Sequence, residues 1–421
     1  MEALLIVLAL GLLALGVPVG FALWITGLVA VLVFGMTSLT QVASSLYSAL
    51  DSFVLLAIPF FVLAGNIMLR ARMAHHLFAF SQRLVGRVAG GTALGATVAS
   101  ALFGAMTGSS VASAAALGRV VIPAMDELGY PKPFAAGLMA AGGTLGILIP
   151  PSVLLIIYAE MARQSVRSLF IAGVLPGIVT AAAIGVVGLI IARRRGYGLT
   201  AEPFSGRALL AATVRATPAI LMPVIVLGGI YSGLFTPTEA AAVSVLYGLL
   251  VGLLVYRTLP PSALFAILVE SARSTAAILF ILSGALFIGM IANLAGLPAA
   301  VVDAVSGLGL GPVGFLLLVN VVLLALGCFL DGFTLLTILT PLLIPTVREL
   351  GIDPIHFAIV LTLNIEIAAV TPPVGLNLFV LSSVTDVPIG DIVRGVAPFV
   401  ATLVAVLLLV TLVPGLSTVL V

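Results

Sequence analysis

Pro150-Pro151 and Pro372-Pro373 each interrupt an apolar run long enough to cross a bilayer. The first sits in Gly142-Gly143-Thr144-Leu145-Gly146-Ile147-Leu148-Ile149-Pro150-Pro151-Ser152. The second sits in Asn364-Ile365-Glu366-Ile367-Ala368-Ala369-Val370-Thr371-Pro372-Pro373-Val374-Gly375. Proline removes a backbone donor and clashes with the preceding turn, so each run breaks near its middle. Broken backbone at membrane depth persists only where protein buries it or where it lines a wet cavity. These two stretches constrain what the chain can fold into more than any other feature.

Composition makes the membrane assignment firm. The chain has 421 residues, 62% hydrophobic and 8% charged, against about 25% charged in a soluble domain. It is read as an all-α polytopic membrane protein. The net charge of +2 gives no reason to expect nucleic acid. The single cysteine, Cys328, excludes an intramolecular disulfide and any multi-cysteine metal site. Glu2 and the lack of a basic leader make the first apolar run mature structure, with no cleaved signal expected.

The proline pairs lie 222 residues apart, and other residues keep that offset. Ile122-Pro123 matches Ile344-Pro345, Glu127-Leu128-Gly129 matches Glu349-Leu350-Gly351, Gly173-Val174 matches Gly395-Val396 and Pro176 matches Pro398. No gap is needed. The chain therefore reads as two repeats, 1–197 and 198–421.

In the first repeat, Ala3–Phe34 reads as a short helix, a break at Gly16-Val17-Pro18-Val19-Gly20 and a second helix. Phe53–Leu69 is a third span. Ala93–Met106 would reach only ~21 Å as a helix, short of the ~30 Å hydrocarbon core. With Thr107-Gly108-Ser109-Ser110 after it, a re-entrant hairpin fits better than a crossing. Pro123–Pro133 reads as a charged loop, Phe134–Ala159 as the broken span and Phe170–Ala192 as the return. In the second repeat, Thr217–Gly233, Ala240–Tyr256 and Thr275–Leu294 are spans. Phe315–Pro341 is the second hairpin, with Phe329-Leu330-Asp331-Gly332 at its tip. Phe357–Leu381 is broken, and Val393–Val413 closes the chain.

Arginine and lysine orient the chain. With Arg193–Arg195 placed in the cytoplasm, 14 basic residues fall inside, Arg87 among them. Arg163, Arg167 and Arg348 fall outside, completing the 17. Three crossings, an odd number, separate the end of the first unit from the hairpin of the second, so the second is inverted, the hairpins enter from opposite sides and both termini lie outside. Inverted repeats with discontinuous helices meeting at the midplane are the architecture of secondary transporters. Interrupted helices expose carbonyls that can replace water around a small cation, and half-helix N-termini suit an anionic substrate.

The candidate residues follow from that geometry. Ser109, Ser110 and Ser113 cluster at or just past the first tip, opposite Gly143, Thr144 and Gly146; the competing reading is that they bond back to their own helix. Asp331 at the second tip and Glu366 on the second broken helix are intramembrane carboxylates, which mark functional sites by default. Either could instead cap a half-helix or pair with a residue such as Arg119. Thr371, Gly375 and Asn377 offer oxygens beside exposed backbone, as hard cations require; Asn377 could equally bond a freed carbonyl. Glu239 in Thr236-Pro237-Thr238-Glu239 reads as a helix start. No P-loop, zinc-protease or nucleophile-elbow pattern is present, so ATP-driven transport and membrane hydrolysis lose support and no enzyme activity is expected.

Gly142–Ser152, Phe235-Thr236-Pro237-Thr238-Glu239-Ala240-Ala241-Ala242 and Val370-Thr371-Pro372-Pro373-Val374-Gly375-Leu376-Asn377 resemble the large, DctM-type membrane subunit of tripartite ATP-independent periplasmic (TRAP) transporters. The resemblance spans essentially the whole chain. It implies a sodium-coupled importer of organic acids in a bacterial or archaeal cytoplasmic membrane, working by an elevator motion. It implies two partners, a smaller four-span membrane subunit and an extracytoplasmic substrate-binding protein. The absence of a four-span extension before Met1 makes a separate small subunit the expectation. By the resemblance, one sodium (Na+) site takes Ser109, Ser110, Gly143, Thr144, Gly146 and Pro151. The other takes Asp331, Gly332, Thr371, Pro372 and Gly375. Substrate sits between the tips, near Ser110, Ser113, Asp331, Glu366 and Asn377. The alternative is a stand-alone sodium- or proton-coupled carboxylate or ion antiporter of the wider superfamily. An ion channel would need a continuous pore, which opposed hairpins do not provide.

Overall fold

The computed structural model describes residues 2–85, 88–198 and 205–421, and over them the chain is helical, with no strand. Arg87, counted on the inner side above, lies outside the described residues. The first repeat runs α1 (Glu2–Ala14), α2 (Val19–Leu32), α3 (Leu39–Leu50), α4 (Ala57–Arg70), α5 (Met73–Val85), α6 (Gly91–Thr107), α7 (Ser110–Glu127), α8 (Lys132–Leu148), α9 (Val153–Ala162) and α10 (Val166–Arg195). The second runs α11 (Gly206–Ser232), α12 (Pro237–Leu250) continued by a π-helical stretch (Val251–Val255), α13 (Ala263–Leu294), α14 (Leu297–Gly307), α15 (Pro312–Gly327), α16 (Gly332–Glu349), α17 (Pro354–Ala368), α18 (Leu376–Val384), α19 (Ile389–Leu412) and α20 (Gly415–Thr418).

The offset seen in sequence returns as geometry. Shifted by 222, α7 coincides with α16 at both ends, and α5, α6, α8, α9 and α10 fall on α14, α15, α17, α18 and α19. Both Pro-Pro bonds are cis. Five described helices are long and apolar enough to cross a membrane unbroken, and up to eight spans result if each bent pair counts as one. α8 and α9 form one such pair, bent by 41° at the first proline pair.

Two expectations need correction. Pro123–Pro133 is not mostly loop, because α7 runs to Glu127 with Pro123 inside it. The second hairpin likewise does not end at Pro341, since α16 continues through Pro341 and Pro345 to Glu349. An internal proline costs a helix ~3 kcal/mol, but Val121, Ile122 and Met125 bury fully or nearly so around Pro123, and that burial outweighs the defect. The short helices α3, α5 and α14 lie outside every span that the hydropathy pattern marks. Met73, Ala74, Leu77 and Phe78 of α5 bury on one face while His75 and Gln82 stay more open. That two-faced pattern is too short and too polar to read as a span.

The middle of the molecule is built on glycine crossings. A Cβ added at Gly395 of α19 would lie 1.7 Å from the Pro133 carbonyl oxygen, and one at Gly137 of α8 would lie 2.1 Å from the Gly395 backbone. A Cβ at Gly104 of α6 would lie 3.0 Å from the Gly146 backbone on α8. In lipid no hydrophobic drive pulls helices together, so close backbone approach through small residues supplies the packing. The helix-start reading of Glu239 holds: Thr236 and Glu239 form a capping box at the start of α12.

Gly395→Ala should therefore force α8 and α19 apart and destabilise the fold by about 1–3 kcal/mol, as overpacking does. Thermal melting of the solubilised protein reads this. Gly390→Ala, on the same helix with open space around it, should melt like the parent.

Candidate functional site

The first hairpin tip is pressed onto the first break. α6 ends at Thr107, and Gly108 takes a left-handed turn (φ 62°). A side chain there would be strained, and its Cβ would lie 2.8 Å from the Pro151 carbonyl oxygen. The Ser109 hydroxyl accepts from the Ala112 N–H and caps α7. Thr107 and Ser113 hydroxyls bond at 2.8 Å across the turn. On the facing helix, a Cβ at Gly146 would lie 2.7 Å from both the Ser109 carbonyl oxygen and the Ser113 Oγ, and one at Gly143 would meet Ala114. The glycines at 143 and 146 thus let α8 reach the tip. Thr144 does not use its hydroxyl there: it donates to the Ala141 carbonyl in its own helix at 2.7 Å.

The second tip meets the second break in the same way but with different chemistry. Asp331 stands where Ser109 stands in the first repeat, and it too is an N-cap. Its Oδ1 accepts from the Phe333 and Thr334 N–H groups at 3.0 and 3.2 Å, and its Oδ2 accepts from the Thr334 hydroxyl. The Val374 N–H donates to the Cys328 carbonyl at 3.1 Å, tying break to tip. Asp331, Gly332 and Gly375 line a small cleft of about 230 Å³, open mouth included, together with Gly327, Ala368 and Ala369. Thr371 and Pro372 stand beside it. The Thr371 hydroxyl donates to the Ile367 carbonyl, and Pro372 is exposed.

The two half-sites differ in access. Thr107, Gly108, Ser110, Ser113, Pro150 and Pro151 are all buried. At the second, Phe329, Pro372, Pro373 and Leu376 are exposed. Asn377 joins the halves. Its Nδ2 donates to the Ser110 Oγ at 2.7 Å and to the Ala140 carbonyl at 3.1 Å, so a residue of the second break holds the first tip. Glu366 is fully buried, with neither carboxylate oxygen hydrogen-bonded, and it does not line the cleft. Such a group is costly unless a proton or cation joins it.

Sequence reasoning missed a buried polar ladder behind the second tip. Asn364 donates to Asn320 at 2.8 Å, and Asn320 donates to Thr411 at 3.0 Å, linking α17, α15 and α19. Asn320 as the lone amide within an apolar helix was the signal available for it.

Comparison with known proteins agrees with this geometry. The profile of the family described as "Tripartite ATP-independent periplasmic transporter, DctM component" matches residues 6–416. The chain is 42% identical over 397 residues to the C4-dicarboxylate TRAP transporter large permease protein DctM of Pseudomonas aeruginosa, covering 94% of this chain and 92% of that one. It is 40% identical over 405 residues to the sialic acid TRAP transporter large permease protein SiaM of Vibrio cholerae, covering 96% and 95%. Among solved structures, the YdaH transporter of Alcanivorax borkumensis shares the fold, with a TM-score of 0.62 at 16% identity over 90% of this chain and 89% of that one. The broken, paired helices thus belong to a multi-pass transporter subunit and not to an enzyme, and the chain is a member of the DctM family of TRAP transporter large permeases.

Proposed function

We propose that this permease imports an organic acid across a bacterial or archaeal cytoplasmic membrane, driven by sodium. The observation that carries the reading is the pair of tips, each seated on a broken helix that leaves backbone groups outside regular helix. Helix ends leave carbonyls without intrahelical partners, and these, with hydroxyls, are what a hard cation takes. One sodium would be held by the Ser109–Ser110 tip with Gly143, Thr144, Gly146 and Pro151. A second would be held by Asp331 and Gly332 with Thr371, Pro372 and Gly375. The carboxylate substrate would lie between the tips near Ser110, Ser113, Glu366 and Asn377. Named relatives carry C4-dicarboxylates and sialic acid, and both are organic acids.

The working unit would include a separate small four-span subunit and an extracytoplasmic substrate-binding protein. Residues 1–197 and 198–421 would form two inverted repeats, with both termini outside, as the arginine distribution supports. The difference in access between the half-sites supports an elevator motion, in which one is closed while the other opens.

In vesicles holding both membrane subunits and supplied with binding protein, a sodium gradient should drive uptake without ATP. Uptake persisting in sodium-free vesicles on a proton gradient alone would sink the sodium assignment.

Asparagine caps helices as well as aspartate does. Asp331→Asn should therefore melt within about 0.5 kcal/mol of the parent while transport falls sharply. Glu366→Gln should also insert and purify, with transport reduced. Parent-level uptake by both variants would return these carboxylates to purely structural roles.

Cys328 sits three residues before Asp331, half-buried, with its Sγ 3.3 Å from the Leu324 carbonyl. A small thiol reagent should modify it slowly, at a rate altered by sodium and substrate. One rate under every condition would show that this tip does not move with ion binding.

A further inference from the structure

Five arginines, from three helices and two turns, converge at one corner of the molecule. α4 ends at Arg70 and the chain turns through Ala71 and Arg72 into α5. The π-helical stretch after α12 ends at Val255 and the chain turns through Tyr256 and Arg257. The two turns are joined, because the Thr258 hydroxyl donates to the Ala71 carbonyl at 3.0 Å. A Cβ at Gly252 would lie 3.2 Å from the Ala71 methyl. Arg72 and Arg257 both have left-handed backbone, at φ 56° and 53°, which side chains bearing a Cβ avoid. α11 adds Arg215, whose carbonyl accepts from the Tyr256 hydroxyl at 2.7 Å. α13 adds Arg273 and Glu270, and Glu270 pairs with Arg70 at 3.3 Å.

All five arginines are exposed. Over residues 66–80, 205–219 and 251–275 Glu270 is the one carboxylate. His76 stacks on Tyr256 with ring centroids 4.3 Å apart, and His75 is beside it. The ordinary orienting bias of basic loops explains positive charge on this side. It does not explain why three helices bring arginines together around two joined turns that each carry one of their own. The chain also uses arginine at every basic position except Lys132, and the guanidinium fork matches phosphate oxygens bidentately where lysine offers a point charge. Beside the cluster, Leu254, Phe265 and Leu268 are 64%, 76% and 52% exposed. They form an apolar margin next to the charge.

We propose that this corner binds the headgroup phosphate of an anionic phospholipid, with its acyl chains along the exposed margin of the π-helical stretch and the start of α13. The cationic corner complements the headgroup charge, and arginines near an anionic leaflet each add to that attraction. The bound lipid clamps the α4–α5 elbow against α11 and α13. The site is independent of the ion and substrate sites above.

Native mass spectrometry of the delipidated permease, with its co-purifying membrane subunit, tests this. At equal concentrations phosphatidylglycerol adducts should exceed phosphatidylcholine adducts several-fold. The Arg72→Gln/Arg257→Gln double variant should lose that preference, by about fivefold per charge removed. The Arg193→Gln/Arg194→Gln control should keep it. Phosphatidylglycerol should also raise the melting temperature of the parent and not of the double variant. If the double variant does not fold, Arg70→Gln/Arg273→Gln reads the same corner. Equal binding of the two lipids would overturn the proposal, as would equal loss in the control. Displacement by millimolar inorganic phosphate would make this a free-phosphate site. Lipid preference that appears only when the membrane subunit is removed would assign the corner to a protein contact, and either result rejects the lipid.

Discussion

Everything in this structure depends on how the cut backbone of two interrupted helices is housed. A helix that stops at membrane depth leaves carbonyls and N–H groups without partners, and lipid cannot supply them. The chain answers by bringing a second helix end to each cut. The tip of α6–α7 sits on the α8–α9 break, and the tip of α15–α16 sits on the break between α17 and α18. Glycine makes this possible, since Gly104, Gly143 and Gly146 allow α8 to approach α6 and α7 closer than any side chain would permit. Two helix ends facing each other concentrate oriented backbone dipoles in one place, which is the electrostatic condition for holding an ion away from water.

The repeats share this plan without sharing its chemistry. Serine caps the half-helix at the first tip and aspartate caps it at the second. The first half-site is rich in neutral hydroxyls and closed, whereas the second carries a formal charge and opens toward the surface. Asn377 gives the two halves a direct polar link through Ser110.

Behind the sites, the Asn364–Asn320–Thr411 ladder fixes α15 against α17 and α19. Interhelical bonds of this kind are modest in energy, about 0.6 kcal/mol on average. They still specify register, because a slipped helix would leave an amide unpaired in an apolar core. Glu366, on the same helix as Asn364, is a fully buried carboxylate with neither oxygen hydrogen-bonded. Its place in the second repeat is that of Thr144 in the first, where a hydroxyl satisfies itself on its own helix. An acid thus stands in the second repeat where the first has a self-satisfied hydroxyl.

The sequence by itself determined the membrane class, the repeat, the two breaks and most of the spans. These rest on composition, proline and constant spacing, all of which act locally or along the chain. It determined the Thr236–Glu239 cap for the same reason. The bounds of α7 and α16 were decided by tertiary packing, because burial around Pro123, Pro341 and Pro345 outweighs a local rule about proline. The short helices α3, α5 and α14 were also decided there, since their one-sided apolar faces mean nothing until another helix covers them. Half-helix capping was one of the two readings open for Asp331, and the structure selects it, whereas the bond from Asn377 to Ser110 and the isolation of Glu366 could not be read in advance. Each depends on which side chain faces which helix end, and a residue's number along the chain does not carry that direction.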